Sequence, residues 1–262
     1  SIKNPETNAQ SVEHIDEIVF DHVDFVYPDG EEAVLKDVSF SVKRGETIAF
    51  IGSTGSGKST LINLIPRAYD VSAGRVLMNG KDIRTYDLES LRRAIGFIPQ
   101  KAMLFSGTIA DNLRFGKEDA TMEDLVQAAK TAQAYDFIME KGGFDEQITE
   151  SATNVSGGQR QRLSIARALI RKPDVYVFDD SFSALDFKTD AKLRRMLKKE
   201  TGNAIVMVVA QRISSIMDAD QIIVLNEGSI VGTGTHKELL NNCRIYREIA
   251  LSQLSEEELS RA

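Results

Sequence analysis

Eight consecutive residues, Gly52-Ser53-Thr54-Gly55-Ser56-Gly57-Lys58-Ser59, carry the clearest chemistry in the chain. They match the pattern G-x-x-x-x-G-K-[ST], whose glycines let the backbone curl until consecutive N–H groups face one anion. The lysine then offers a positive charge to terminal phosphates, and the hydroxyl after it offers a hard oxygen to Mg2+. Lys58, Ser59 and Thr60 are therefore expected on the first turn of a helix, whose N-terminus adds partial positive charge to the cradle. A second group is Asp179, at the tip of the apolar run Val175-Tyr176-Val177-Phe178. Alone it reads as a turn or cap residue. Beside a phosphate loop, a strand-tip carboxylate holds Mg2+ through water. A third is Ser156-Gly157-Gly158, before the helical pattern Gln159–Arg171 that Pro173 stops. It reads either as a second anion site at a helix N-terminus or as an ordinary capped helix.

The elements that must position these groups alternate in type. Ile18, Phe20, Val23, Phe25 and Tyr27 approximate a period of two, as strands do, and Pro28-Asp29-Gly30 makes a turn. Further strands are expected at 38–42, 47–51, 75–78 and 95–98, and a helix at 58–68. The apolar runs 175–178, 204–209 and 222–225 suit a buried parallel sheet. Between about 101 and 172 the pattern is helical, with a capping box at Thr121/Asp124; a second box, Thr235/Glu238, opens a late helix. Strands alternating with helices, plus a helical block in the middle, predict an α/β core with an inserted helical subdomain. Residues 1–15 are polar and read as a linker, leaving 16–262 as the domain.

Composition excludes several function classes. With 32 basic against 39 acidic residues the net charge is -7, which argues against a dedicated nucleic-acid binder and gives no polybasic membrane anchor. One cysteine, Cys243, permits no internal disulfide, so a reducing compartment is expected and the thiol reads as structural. No apolar run approaches the roughly 20 residues of a membrane span, and the polar start SIKNPETNAQ does not read as a signal peptide.

Val155-Ser156-Gly157-Gly158-Gln159, running into Arg160-Gln161-Arg162 and Leu163-Ser164-Ile165-Ala166-Arg167-Ala168-Leu169, resembles the signature motif of ABC ATPases. Other landmarks of that family follow in order. Tyr27 is similar to the aromatic that stacks on adenine, and Gln100, after Phe97-Ile98-Pro99, to a Gln that binds Mg2+ and senses a membrane domain. Ser183-Ala184-Leu185-Asp186 resembles the loop that crosses the dimer interface, and Phe105-Ser106-Gly107-Thr108-Ile109 is exporter-like. Glu150 sits where exporters carry a coupling acid, although the flanking glycines are Thr149 and Ala152 here. The resemblance spans about residues 18–252. It implies a P-loop NTPase (RecA-like) core with an antiparallel β-subdomain, ATP and Mg2+ as ligands, and a second nucleotide-binding domain as partner. It also implies transmembrane domains of an exporter and a place on the cytoplasmic face of the membrane, with 155–159 reaching the partner's ATP.

Two positions depart from the family pattern. Asp180 follows Asp179 where the family places the Glu that activates water, and its carboxylate falls short by about 1.5 Å, one C–C length. Gln211, after the strand at 204–209, stands where the family has a histidine; an amide still donates a hydrogen bond but carries no proton or charge. The combination resembles the degenerate-site subunit of a heterodimeric exporter. A fully active homodimer, a soluble ABC-type ATPase and a nucleotide-sensing module are the competing readings.

Overall fold

The computed structural model describes residues 2–5 and 9–254. β1 (Glu17–Phe25) and β2 (Leu35–Lys43) pair antiparallel, with Ile18, Phe20, Val23 and Phe25 turned inward. The inward positions switch from even to odd numbers because His22 takes a left-handed φ of 48° where the register shifts, as a bulge does. β3 (Thr47–Gly52) enters a second sheet and leads through the glycine-rich loop into α1 (Lys58–Asn63). That helix is shorter than the expected 58–68. Pro66 disfavours helical geometry at the preceding residue, and Arg67 is left-handed, so the chain continues as turns.

β4 (Ala73–Met78) and β5 (Lys81–Asp82) complete the first sheet in the order β2-β1-β4-β5. α2 (Leu88–Arg93), capped by Asp87, delivers β6 (Ile95–Ile98) to the second sheet. A helical block follows: β7 (Gly107–Thr108), α3 (Ile109–Arg114), α4 (Met122–Thr131), α5 (Tyr135–Glu140), β8 (Gln147–Ile148) and α6 (Gly157–Ile170). β7 and β8 pair antiparallel, and reciprocal capping boxes at Thr108/Asp111, Thr121/Asp124 and Ser156/Gln159 fix three helix starts. The chain returns through β9 (Val175–Asp179), α7 (Phe187–Glu200), β10 (Ile205–Val209), β11 (Gln221–Asn226) and β12 (Ser229–Gly234). It closes with α8 (His236–Asn242), opened by the Thr235/Glu238 box, and α9 (Arg244–Gln253).

The second sheet has the order β12-β11-β3-β10-β9-β6. Its central strands are buried on both faces and feed two cores. Ile48, Phe50, Val175 and Val177 join the antiparallel sheet, α1 and α2; Ala49, Ile51, Tyr176 and Phe178 join the helical block and α7. This explains why their sequences are continuously apolar rather than alternating. The result is a mixed α/β fold with a P-loop NTPase core, an antiparallel sheet and a helical subdomain. Among the described residues no helix is long and apolar enough to cross a membrane.

Within the stretch 1–15 that reads as a linker, the described residues are tied to the domain at Gln10 and Ile15. Gln10 bridges to Tyr86, accepts from the Asp87 N–H at 2.8 Å and donates to Thr85 O at 3.1 Å. Ile15 is buried in the core beside Ile18. One apolar anchor and backbone hydrogen bonds offset the ordering entropy that a polar composition suggested would prevail. Residue 1 and residues 6–8 of that stretch, and 255–262 of the domain, lie outside the described residues.

Candidate nucleotide-binding site

Four parallel strands end on one edge of the second sheet. β10 lies between β3 and β9, with Val209 opposite Phe50 on one side and Asp179 on the other, and Ile98 of β6 lies opposite Phe178. The loops that leave β3, β6, β9 and β10 therefore open on one crevice at the carboxyl ends of the strands. Topology alone thus gathers Gly52–Ser59, Gln100, Asp179, Asp180 and Gln211.

The glycine-rich loop is built so that only glycine fits at its two ends. A Cβ on Gly52 would lie 2.2 Å from Leu225 O, and Gly57, at φ 101°, would meet Leu35 Cδ2 at 2.8 Å. Between them Ser53, Thr54 and Gly55 are exposed, while Ser56 is buried. Lys58 reaches back along the loop, donating to Gly52 O at 2.7 Å, Ser53 O at 2.8 Å and Ser56 Oγ at 3.1 Å. Burial lowers the pKa of this ammonium, against the opposing pull of Asp180 and Asp179. Ser59 Oγ donates to Asp179 Oδ1 at 3.3 Å. Burial raises the Asp179 pKa, which the Ser59 hydrogen bond opposes.

These groups fit a nucleoside triphosphate with Mg2+: a curled exposed loop, an ammonium, and a hydroxyl paired with a carboxylate as hard oxygen ligands. Among the described residues no cluster of three or more His, Cys, Asp or Glu could hold a metal unaided, so a cation here needs phosphate and water oxygens as well.

Asp180 is placed differently from Asp179. It is 8% exposed, takes a left-handed φ of 46°, and its N–H donates to Val209 O at 2.8 Å. Its Oδ2 accepts from Gln100 Nε2 at 3.1 Å. Burial raises its pKa, and the Gln100 amide is foremost among the groups that oppose this. Gln100 therefore spends its amide nitrogen on Asp180 rather than on the Ser59–Asp179 pair. Gln211 is exposed and lines a cavity of about 430 Å³ together with Gly52, Ser53 and Lys58.

Tyr27 is half-buried, edge-on to Phe25 and Tyr69 at 4.9 and 5.3 Å between ring centroids. Its hydroxyl shares a 2.8 Å hydrogen bond with Thr60 Oγ1. Thr60 is buried, and this bond joins the aromatic residue to the loop helix.

The 155–159 segment is a separate surface. Val155 is buried, Ser156 caps α6, and no hydrogen bond among the described residues joins the segment to 52–60. A Cβ on Gly157 would meet nothing within 4 Å, whereas one on Gly158 would lie 3.2 Å from Ala184 O. Nothing within this chain's own packing requires a glycine at 157. Next to it, Ser183 Oγ donates to Asp180 O at 3.0 Å, Leu185 is buried, and Asp186 caps α7 by accepting from Thr189 N–H at 2.9 Å.

Two residues that the motifs did not mark join these pieces. Arg212 donates to Ser183 O and Leu185 O, both at 3.0 Å, and stacks over Phe187. Ser181, fully buried, donates to Ile98 O at 2.8 Å and ties the Asp180 turn to β6. Each adjoins a recognised motif, which is the only sequence signal that could have marked it.

Comparison with known proteins agrees with this geometry. The family model described as ABC transporter matches residues 35–183. An uncharacterized ABC transporter ATP-binding protein of Mycobacterium tuberculosis is 51% identical over 232 residues, covering 87% of this chain and 40% of that protein. A putative multidrug export ATP-binding/permease protein of Staphylococcus aureus is 44% identical over 233 residues, covering 88% of this chain and 40% of that protein. A solved structure of a bacterial Atm1-family ABC exporter with ATP bound superposes with a TM-score of 0.93 at 34% identity, over 97% of this chain and 45% of that one. The chain belongs to the ABC transporter family. It spans about two fifths of the length of the curated relatives it matches.

Proposed function

We propose that this chain is the ATP-binding unit of an exporter, and that it grips Mg2+-ATP firmly but hydrolyses it slowly. The observation that carries the reading is the edge of the second sheet, where an intact phosphate cradle meets Asp180 and Gln211 instead of Glu and His. Gly52–Ser59 and Lys58 hold the phosphates, and Tyr27 stacks on the base. Ser59, Asp179 and Gln100 hold Mg2+, which neutralises charge on the phosphates. Asp180 is one methylene short for aligning water, and misplacement by about 1 Å costs on the order of 100-fold. Gln211 donates a hydrogen bond but moves no proton.

Two such domains then sandwich two ATP molecules, and Val155–Gln159 of each completes the other's site, with Ser183–Asp186 along the interface. The intact 155–159 segment beside an impaired site favours a heterodimer whose partner carries Glu and His at the two departing positions. Closure drives attached transmembrane domains on the cytoplasmic face of a membrane. The open space at Gly157 supports this part, since it leaves room for a phosphate brought by a partner. The test is Gly157→Asp, with ATP binding and ATP-driven association measured side by side in the presence of the partner domain. Binding at wild-type strength with association abolished is the expected result. Unchanged association would remove the partner-facing role.

A further inference from the structure

We infer that Gln253, the last residue of α9, is a positioning residue for the 211–213 segment and through it for the nucleotide site; the inference rests on the nucleotide-binding reading above. Its carboxamide grips the segment at two points. Nε2 donates to Gln211 O at 2.7 Å, and Oε1 accepts from Ile213 N–H at 2.8 Å.

The Ile213 N–H needs an outside partner. Ile213 opens a short 3-10 helix, Ile213–Ser215, whose first N–H has no partner within the helix and whose N-cap, Arg212, supplies no side-chain bond. Ile213 is itself fully buried. One side chain bonds this N–H and Gln211 O, and the residue between the two is Arg212, which holds Ser183 O and Leu185 O. The clasp therefore fixes at once the backbone that carries Gln211 beside the cavity and the arginine that fastens the 183–186 loop.

The clasp is carried on a firm support. α9 is pinned by Tyr246 and Ala250, both fully buried, and Tyr246 Oη shares a 2.6 Å hydrogen bond with His236 Nδ1 of α8. α9 also walls the cavity that Gly52, Ser53, Lys58 and Gln211 line, through Ile245, Glu248 and Ile249. A shift of this helix would thus be felt at Gln211 without passing through the sheet.

The test is amide exchange and ATP turnover on Gln253→Ala and Gln253→Glu. Alanine removes both bonds, so exchange at Ile213 should rise about three- to tenfold, the range that one net hydrogen bond supports. Amides of 205–209 should stay unchanged. Glutamate keeps the acceptor for Ile213 N–H but sets a carboxylate against Gln211 O, so Ile213 should stay protected while turnover still falls. In both variants kcat should drop about three- to tenfold with KM for ATP within about twofold, as expected of a group that orients without touching the nucleotide. Unchanged Ile213 exchange in the alanine variant, a rise shared by 205–209, or a loss carried by KM would each overturn the proposal. If the wild-type chain failed to bind ATP, the nucleotide reading would fall while the exchange data still judged the clasp.

Discussion

Replacing Asp180 by glutamate should raise hydrolysis and lower stability together, and the opposite signs make the change informative. The added methylene advances the carboxylate by about 1.5 Å, and recovery of alignment on that scale is worth on the order of 100-fold, about 2.7 kcal/mol of barrier. Against this, position 180 is left-handed at φ 46°, which Asp tolerates better than Glu by about 1 kcal/mol. The longer side chain also surrenders the 3.1 Å bond from Gln100, worth about 1 kcal/mol net. Asp180→Glu should therefore unfold about 1–2 kcal/mol more easily while turning over ATP about 100-fold faster. Single-turnover hydrolysis with protein in excess over labelled ATP reads the first quantity, and urea unfolding the second. A rate within about threefold of wild type would refute the reasoning that carboxylate reach limits this site, whatever the stability did.

Two other predictions concern strain and buried charge. Ser151, exposed at φ 64°, and Ala152, buried at φ 51°, sit where glycines would be unstrained. Ser151→Gly should stabilise the chain by about 0.5–1 kcal/mol, read as about a 2 °C rise in Tm; Ala152→Gly should gain less because it deletes a buried methyl. Asp180→Asn removes a carboxylate whose pKa burial raises. A raised folded pKa means the charged form opposes folding above that pKa. The variant should therefore melt above wild type at pH 7 and lose its advantage as pH falls through the raised value, which thermal melts across pH 4–8 would show.

Much of the site could be read directly from residue order, because local chemistry fixes it. Gly52 and Gly57 are glycines for steric reasons that any strand–loop–helix cradle imposes, and Thr121/Asp124 and Thr235/Glu238 form the capping boxes their spacing implies. What escaped the sequence depends on tertiary geometry. The His22 bulge shifts a strand's facing without leaving a proline or glycine to mark it. Gln10 is held by backbone bonds to Thr85 and Asp87 that composition cannot show. Gln100 meets Asp180 only because β6 lies beside β9, and Gln253 meets Gln211 only because α9 folds back over the loop after β10. Arg212 is one residue from a recognised position, but its hold on Ser183 and Leu185 comes from the approach of two loops, and no spacing rule encodes that.

The decisive measurement is the fate of bound nucleotide. Purified chain is loaded with labelled ATP and Mg2+, freed of excess, and the protein-bound label is resolved into ATP and ADP over time. A working site at the common enzyme rate of about 10 s⁻¹ would empty of ATP within a second, whereas a 100-fold loss leaves ATP intact for on the order of ten seconds or longer. Retention as ATP, lost on Lys58→Ala, is the outcome the account predicts. Rapid conversion to ADP, or no retained nucleotide, would contradict it.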